Sequence, residues 1–110
     1  DVLAIRTFFW WGHYFSCTLQ LKGEYKQQYE LKIATAISTG LLNGCLINQS
    51  NEEWNHDIKN GMLPVEMVTT NKLNELEIIK IAHIFTLENW NTVPEKLLNR
   101  YQLYLSILND

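Results

Sequence analysis

Five segments with helix-like apolar spacing, separated by turn signals and by no linker tract, predict an all-α domain. The expected architecture is about five helices in an antiparallel, bundle-like domain over residues 1–110. The first segment covers about residues 2–21, where Phe8, Trp11, Phe15 and Leu19 follow 3-4-4 spacing and would share one helical face. The second covers about 24–44. There Tyr25, Tyr29, Ile33, Ile37 and Leu41 recur every four residues beside a small-residue ridge of Ala36, Gly40 and Gly44. Two glycines cost helix stability and leave the far end of this segment open.

The third segment, 50–61, begins with Ser50 and Glu53 in capping-box spacing and closes at Asn60-Gly61. The fourth, about 71–88, carries Leu73, Leu76, Ile79, Ala82 and Phe85, and Ile78, Ile81 and Ile84 widen its apolar face. A segment apolar around so much of its circumference belongs at the centre of a domain. The fifth opens on a second capping box, Thr92 with Glu95, with Pro94 in the first turn. Leu97, Tyr101, Tyr104 and Leu108 then line one face, flanked by Leu98 and Leu105.

A rival reading is α+β. Phe15, Cys17, Leu19 and Leu21 alternate with polar residues, as do Tyr29, Leu31 and Ile33, so residues 14–37 fit a β-hairpin around Gly23. The more persistent 3-4 spacing, with Ala34 and Ala36, weighs toward helix.

Length and composition suit one globular domain: 110 residues, 46% apolar and 19% charged, with a net charge of −3. The acidic balance argues against direct nucleic-acid binding, and no run of apolar residues is long enough to span a membrane. Cys17 and Cys45 match no zinc spacing and no disulfide framework, and they read as reduced, buried thiols, with a single disulfide as the alternative. The start lacks the features of a signal peptide, so the cytoplasm is the expected compartment.

The stretch Leu21-Lys22-Gly23-Glu24-Tyr25 resembles the turn inside a tetratricopeptide helical hairpin, over about 25 residues from Trp11 to Ile37. Gln28, Lys32 and Thr35 depart from that repeat, and 34 residues beyond Gly23 stands Asp57 with nothing matching around it. The resemblance implies an antiparallel helix pair and not a repeat array. In type, a small acidic chain rich in Asn, Ile and Leu and lacking catalytic motifs also resembles the immunity proteins that neutralise colicin-type and contact-dependent-inhibition toxins. That resemblance implies a non-enzymatic antitoxin which occludes the active site of a cognate toxin, a basic nuclease in the expected case.

Charge placement is uneven. Residues 1–50 hold four basic and three acidic side chains, and residues 51–110 hold five basic and nine acidic ones. The expected partner-binding residues are Glu52, Glu53, Trp54 and Asp57 on the third segment, extended by Glu75 and Glu77. Carboxylates there would steer a cationic partner, and Trp54 would anchor it. The same residues admit a purely structural reading, because Glu52 and Glu53 also suit a helix N-terminus and Trp54 a core.

His13, His56 and His83 are scattered, and no set of ligands has metal spacing, so neither a metal nor a cofactor is expected. His56 beside Glu53 and Asp57 gives a weak acid–base candidate within a third function class, a small enzyme. The aromatic run Phe8-Phe9-Trp10-Trp11-Gly12-His13-Tyr14-Phe15 cannot all face one side of a helix and leaves room for self-association as a homo-oligomer. A helical adaptor that binds a protein or peptide in a groove between the first two helices is the alternative function.

Overall fold

The computed structural model describes residues 1–10, 14–49, 62–86 and 91–109. It corrects the expected all-α bundle: the domain is α+β, and its described residues form a five-stranded antiparallel sheet with three α-helices. In chain order the elements are β1 (Val2–Trp10), β2 (Tyr14–Lys22), α1 (Glu24–Ser38), β3 (Leu46–Asn48), β4 (Met62–Pro64), a 3-10 turn (Val65–Met67), α2 (Thr70–Glu75), β5 (Ile78–Thr86) and α3 (Val93–Asn109). The strands lie side by side in the order β1-β2-β5-β3-β4, every neighbouring pair antiparallel.

The first predicted helix is the hairpin of β1 and β2. Its sequence is dense in β-branched and aromatic residues, which fit a pleated surface better than a helix. The rival hairpin reading named the right alternation at Phe15 to Leu21 but the wrong partner. β2 pairs backward with β1, Trp10 opposite Tyr14 and Val2 opposite Lys22, while residues 24–38 are helix. Gly23, at φ 68°, turns the chain from β2 into α1, so the tetratricopeptide-like turn joins a strand to a helix and there is no helical hairpin. The adaptor groove between two leading helices disappears with it. Pleating also accounts for the aromatic run: Phe9 and Phe15 stack at 4.6 Å across the hairpin, and Phe8 falls on the opposite face.

The fourth predicted helix divides into the short α2 and the strand β5. Leu73, Leu76, Ile79, Ala82 and Phe85 are all buried, as a central element requires. However, 78–86 is a β-branched run of strand length with strands on both sides, and such strands read as continuously apolar. The expected third helix lies outside the described residues.

Register puts Phe15, Cys17, Leu19 and Leu21 of β2 on the same face as Ile79, Ile81, His83 and Phe85 of β5, Ile5 of β1 and Ile47 of β3. Ile33 and Ala36 of α1 and Tyr104, Ile107 and Leu108 of α3 close over this face and complete the main core. The second helix is thus correctly placed but ends early, at Ser38, with Gly40 and Gly44 beyond it at φ 84° and 88°. α3 buries a stripe different from the expected one: Tyr104 and Leu108 point inward, but Tyr101, Leu98 and Leu105 are exposed.

Two lysines of α1 hold the other helices in place. Lys26 Nζ donates to the Asn74 carbonyl at the end of α2 (3.2 Å), and Lys32 Nζ donates to the Leu108 carbonyl at the end of α3 (2.9 Å). Carbonyls at a helix C-terminus lack intrahelical donors and carry partial negative charge, so a cation placed there both bonds and neutralises. At the sheet, the Tyr104 hydroxyl donates to the Cys17 carbonyl at 3.0 Å.

Beyond Ile47, the last β3 residue in register with β5, the Asn48 side chain continues the contact between the two strands. Its Nδ2 donates to the Ile78 carbonyl at 2.7 Å, and its Oδ1 accepts from the Lys80 amide at 2.9 Å. A buried amide that loses such partners costs about 1–3 kcal/mol. Asn48→Ala is therefore expected to lower unfolding stability by about that amount. Asn48→Asp, which keeps the acceptor but not the donor, should cost at least as much. Urea unfolding checks this, and unchanged midpoints would show that Asn48 does not extend the ladder.

Candidate functional site

The predicted binding residues fare unequally. Glu52, Glu53, Trp54 and Asp57, like His56 of the acid–base candidate, lie outside the described residues. Glu75 ends α2 and Glu77 precedes β5, and both are exposed. They stand at the end of the sheet where β2 finishes and β5 begins, around a shallow cavity of about 390 Å³ that Asp1, Lys22 and Lys26 also line. Lys26 pairs with Glu30 one helical turn along α1. At this end of the molecule Asp1, Glu75 and Glu77 thus line a cavity with Lys22 and Lys26, and Glu30 pairs with Lys26, which also bonds the end of α2.

Sequence reasoning missed a second cluster at the opposite end of the sheet, where β5 finishes and α3 begins. Cys45 precedes β3, and its Sγ lies 3.7 Å from His83 Nδ1. Arg100 Nη1, from the second turn of α3, donates to the same sulfur at 3.5 Å. The Cys45 position is fixed from behind by Gly44, whose amide donates to Glu66 Oε1 at 2.8 Å. His83 packs edge-on against Phe85, ring centres 4.7 Å apart.

Beside this cluster opens a cleft of about 510 Å³ between β5 and α3. Strand residues His83, Phe85 and Thr86 form one wall, and Lys96, Asn99, Arg100 and Leu103 form the other. No local motif announces the group, because its members come from four separate places in the chain. The one legible signal was the like-charged pair Lys96 and Arg100, four residues apart on a helix, which repels unless something anionic sits against it.

A cysteine beside a histidine has the composition of a nucleophile and its base, but the environment holds both neutral. Cys45 is fully buried. Burial pushes its thiol pKa up, an effect offset only in part by Arg100 and the Tyr104 hydroxyl, and Glu66 raises it further. Cys17, the second free thiol, is also buried, and burial raises its pKa too. His83 moves the other way: burial, and then the Arg100 charge, lower it from 6.5 to about 4. A thiolate–imidazolium pair is therefore disfavoured on both members. Burial likewise holds the Tyr104 phenol protonated far above its ordinary range. Among the described residues no three His, Cys, Asp or Glu side chains converge as metal ligands, and no helix is long and apolar enough to cross a membrane.

Two outcomes are expected. In the native protein both thiols should resist a disulfide reagent at pH 8 and react promptly once the chain is unfolded; rapid labelling of a native thiol would contradict the buried, protonated pair. The second concerns pH. The unfolded chain takes up a proton at His83 near pH 6.5, whereas the folded chain does so only near pH 4. Stability present above pH 6.5 is thus lost as pH falls through that window, by at most about 3 kcal/mol for this group. Urea unfolding of the wild type and His83→Gln between pH 7 and pH 4 should show a shallower loss in the variant, and parallel curves would contradict the assignment.

Comparison of the chain with protein-family models, with curated proteins and with solved structures finds no match.

Proposed function

We propose that this chain is a non-enzymatic binding protein that recognises a basic protein partner through its acidic end, as an immunity protein recognises the toxin it neutralises. The observation that carries the reading is the segregation of charge along the strands. Asp1, Glu30, Glu75 and Glu77 outnumber Lys22 and Lys26 where β2 ends and β5 begins, while Lys96 and Arg100 line the cleft where β5 ends. Such a polarised surface orients a cationic partner before contact and disfavours the reversed docking. A basic nuclease, whose substrate groove is cationic, fits that end in charge. Inhibition would follow from occlusion of the groove, with no reaction at this chain.

The state of the Cys45–His83 pair favours binding over catalysis, since the groups with nucleophile and base chemistry are held as a buried thiol and a neutral imidazole.

The test is capture of partners from the source cells by the untagged chain at two ionic strengths. One basic protein should be held stoichiometrically at about 0.1 M salt and released toward about 1 M, as the Debye length falls from about 10 to about 3 Å. One equivalent of the chain should abolish that protein's activity. Joint charge reversal of Glu75 and Glu77 to Lys should weaken the complex at least about tenfold, or about 1.4 kcal/mol. A partner held equally at both salts, or binding unmoved by the reversal, would contradict the acidic end as the interface.

A further inference from the structure

At the opposite end, Arg100 is a half-buried guanidinium whose one hydrogen bond among the described residues goes to the neutral sulfur of Cys45, 3.5 Å away. Lys96 stands one turn before it on the same face of α3, and both line the cleft of about 510 Å³. Neither forms an ion pair with a described carboxylate, and no acidic residue is among the described residues lining the cleft. A partly desolvated guanidinium beside a second cation is an arrangement that an anion stabilises, because Arg100 has lost part of its hydration and the two charges repel.

The rest of the lining completes a receptor. Asn99 offers an amide beside the two cations, and Phe85 and Leu103 supply apolar wall. The volume falls within the ordinary range for small-molecule clefts, roughly 300–1,000 Å³.

We infer that the cleft between the end of β5 and the start of α3 binds a small organic phosphate monoester, its phosphoryl group on Arg100 and Lys96 and its less polar body against Phe85 and Leu103. Two cations in a cleft with no carboxylate among its described lining residues match a group that carries close to two negative charges near neutral pH, as a phosphomonoester does. The planar guanidinium fork suits two phosphoryl oxygens, with the lysine acting as a point charge. The site lies at the other end of the sheet from Glu75 and Glu77, so its occupancy does not depend on the proposed protein partner.

Calorimetric titration of the full chain with phenyl phosphate, inorganic phosphate and benzoate tests this. Phenyl phosphate should bind saturably at one site, several-fold tighter than inorganic phosphate and at least about tenfold tighter than benzoate. Arg100→Gln and Lys96→Gln should each weaken phenyl phosphate at least about tenfold, and thermal unfolding of both variants establishes that they are folded. Lys96 is exposed and stands outside the hydrophobic core, so its replacement keeps the test sound if Arg100→Gln does not fold. Absence of saturable phenyl phosphate binding, benzoate binding of equal strength, or affinity unchanged in Lys96→Gln would each overturn the assignment.

Discussion

Everything in this fold follows from the need to cover one face of β2 and β5. With Leu19, Leu21, Ile79 and Ile81 all directed to the same side and fully inaccessible, that face cannot stay in water. α1 and α3 are the cover, and the two lysines of α1 reach the ends of α2 and α3. One helix thus packs on the sheet while its charged side chains fix where two other helices stop. The Tyr104 hydroxyl adds a polar tie from α3 to the backbone of β2 inside an otherwise apolar layer.

That packing determines where chemistry-bearing side chains meet. Because α3 begins beside the end of β5, its first turns bring Lys96 and Arg100 against His83, and Cys45 is delivered there from the loop before β3. Because α1 begins where β2 ends, its first turns meet the carboxylates around α2 at the other end. The same strands that separate the two helix starts therefore separate the Lys96–Arg100 pair from the carboxylates around α2. In the cationic cluster, burial rather than a partner charge sets the protonation of the thiol, and Arg100 reinforces burial at His83.

Burial was easier to read from the sequence than element type. Leu73, Leu76, Ile79, Ala82 and Phe85 were singled out as central and are buried, yet they belong to a helix, a strand and the link between them. A strand buried on both faces has no alternation to display, so its apolar positions also fit a 3-4 pattern. In β1 and β2, Phe8, Phe15 and Leu19 match helical spacing by coincidence, while Val2, Ile5, Thr7 and the aromatics that follow them carry the strand preference that decides the outcome. α1 and α3 were legible because Ala-containing, four-residue spacing and a Pro94 start agree with local propensity. The cationic cleft was not, since Cys45, His83 and Arg100 become neighbours only when β3, β5 and α3 are packed.

The central claim is that the two ends of the sheet recognise ligands of opposite charge independently. Amide chemical-shift mapping of the labelled chain, titrated in separate samples with a phosphomonoester and with a polybasic peptide, tests it most directly. The account predicts that the phosphomonoester moves amides around His83–Thr86 and Lys96–Leu103, the polybasic peptide moves those around Lys22–Lys26 and Asn74–Glu77, and the two sets do not overlap. Shifts from both ligands at one common set of amides, or spread evenly over the sheet, would contradict it.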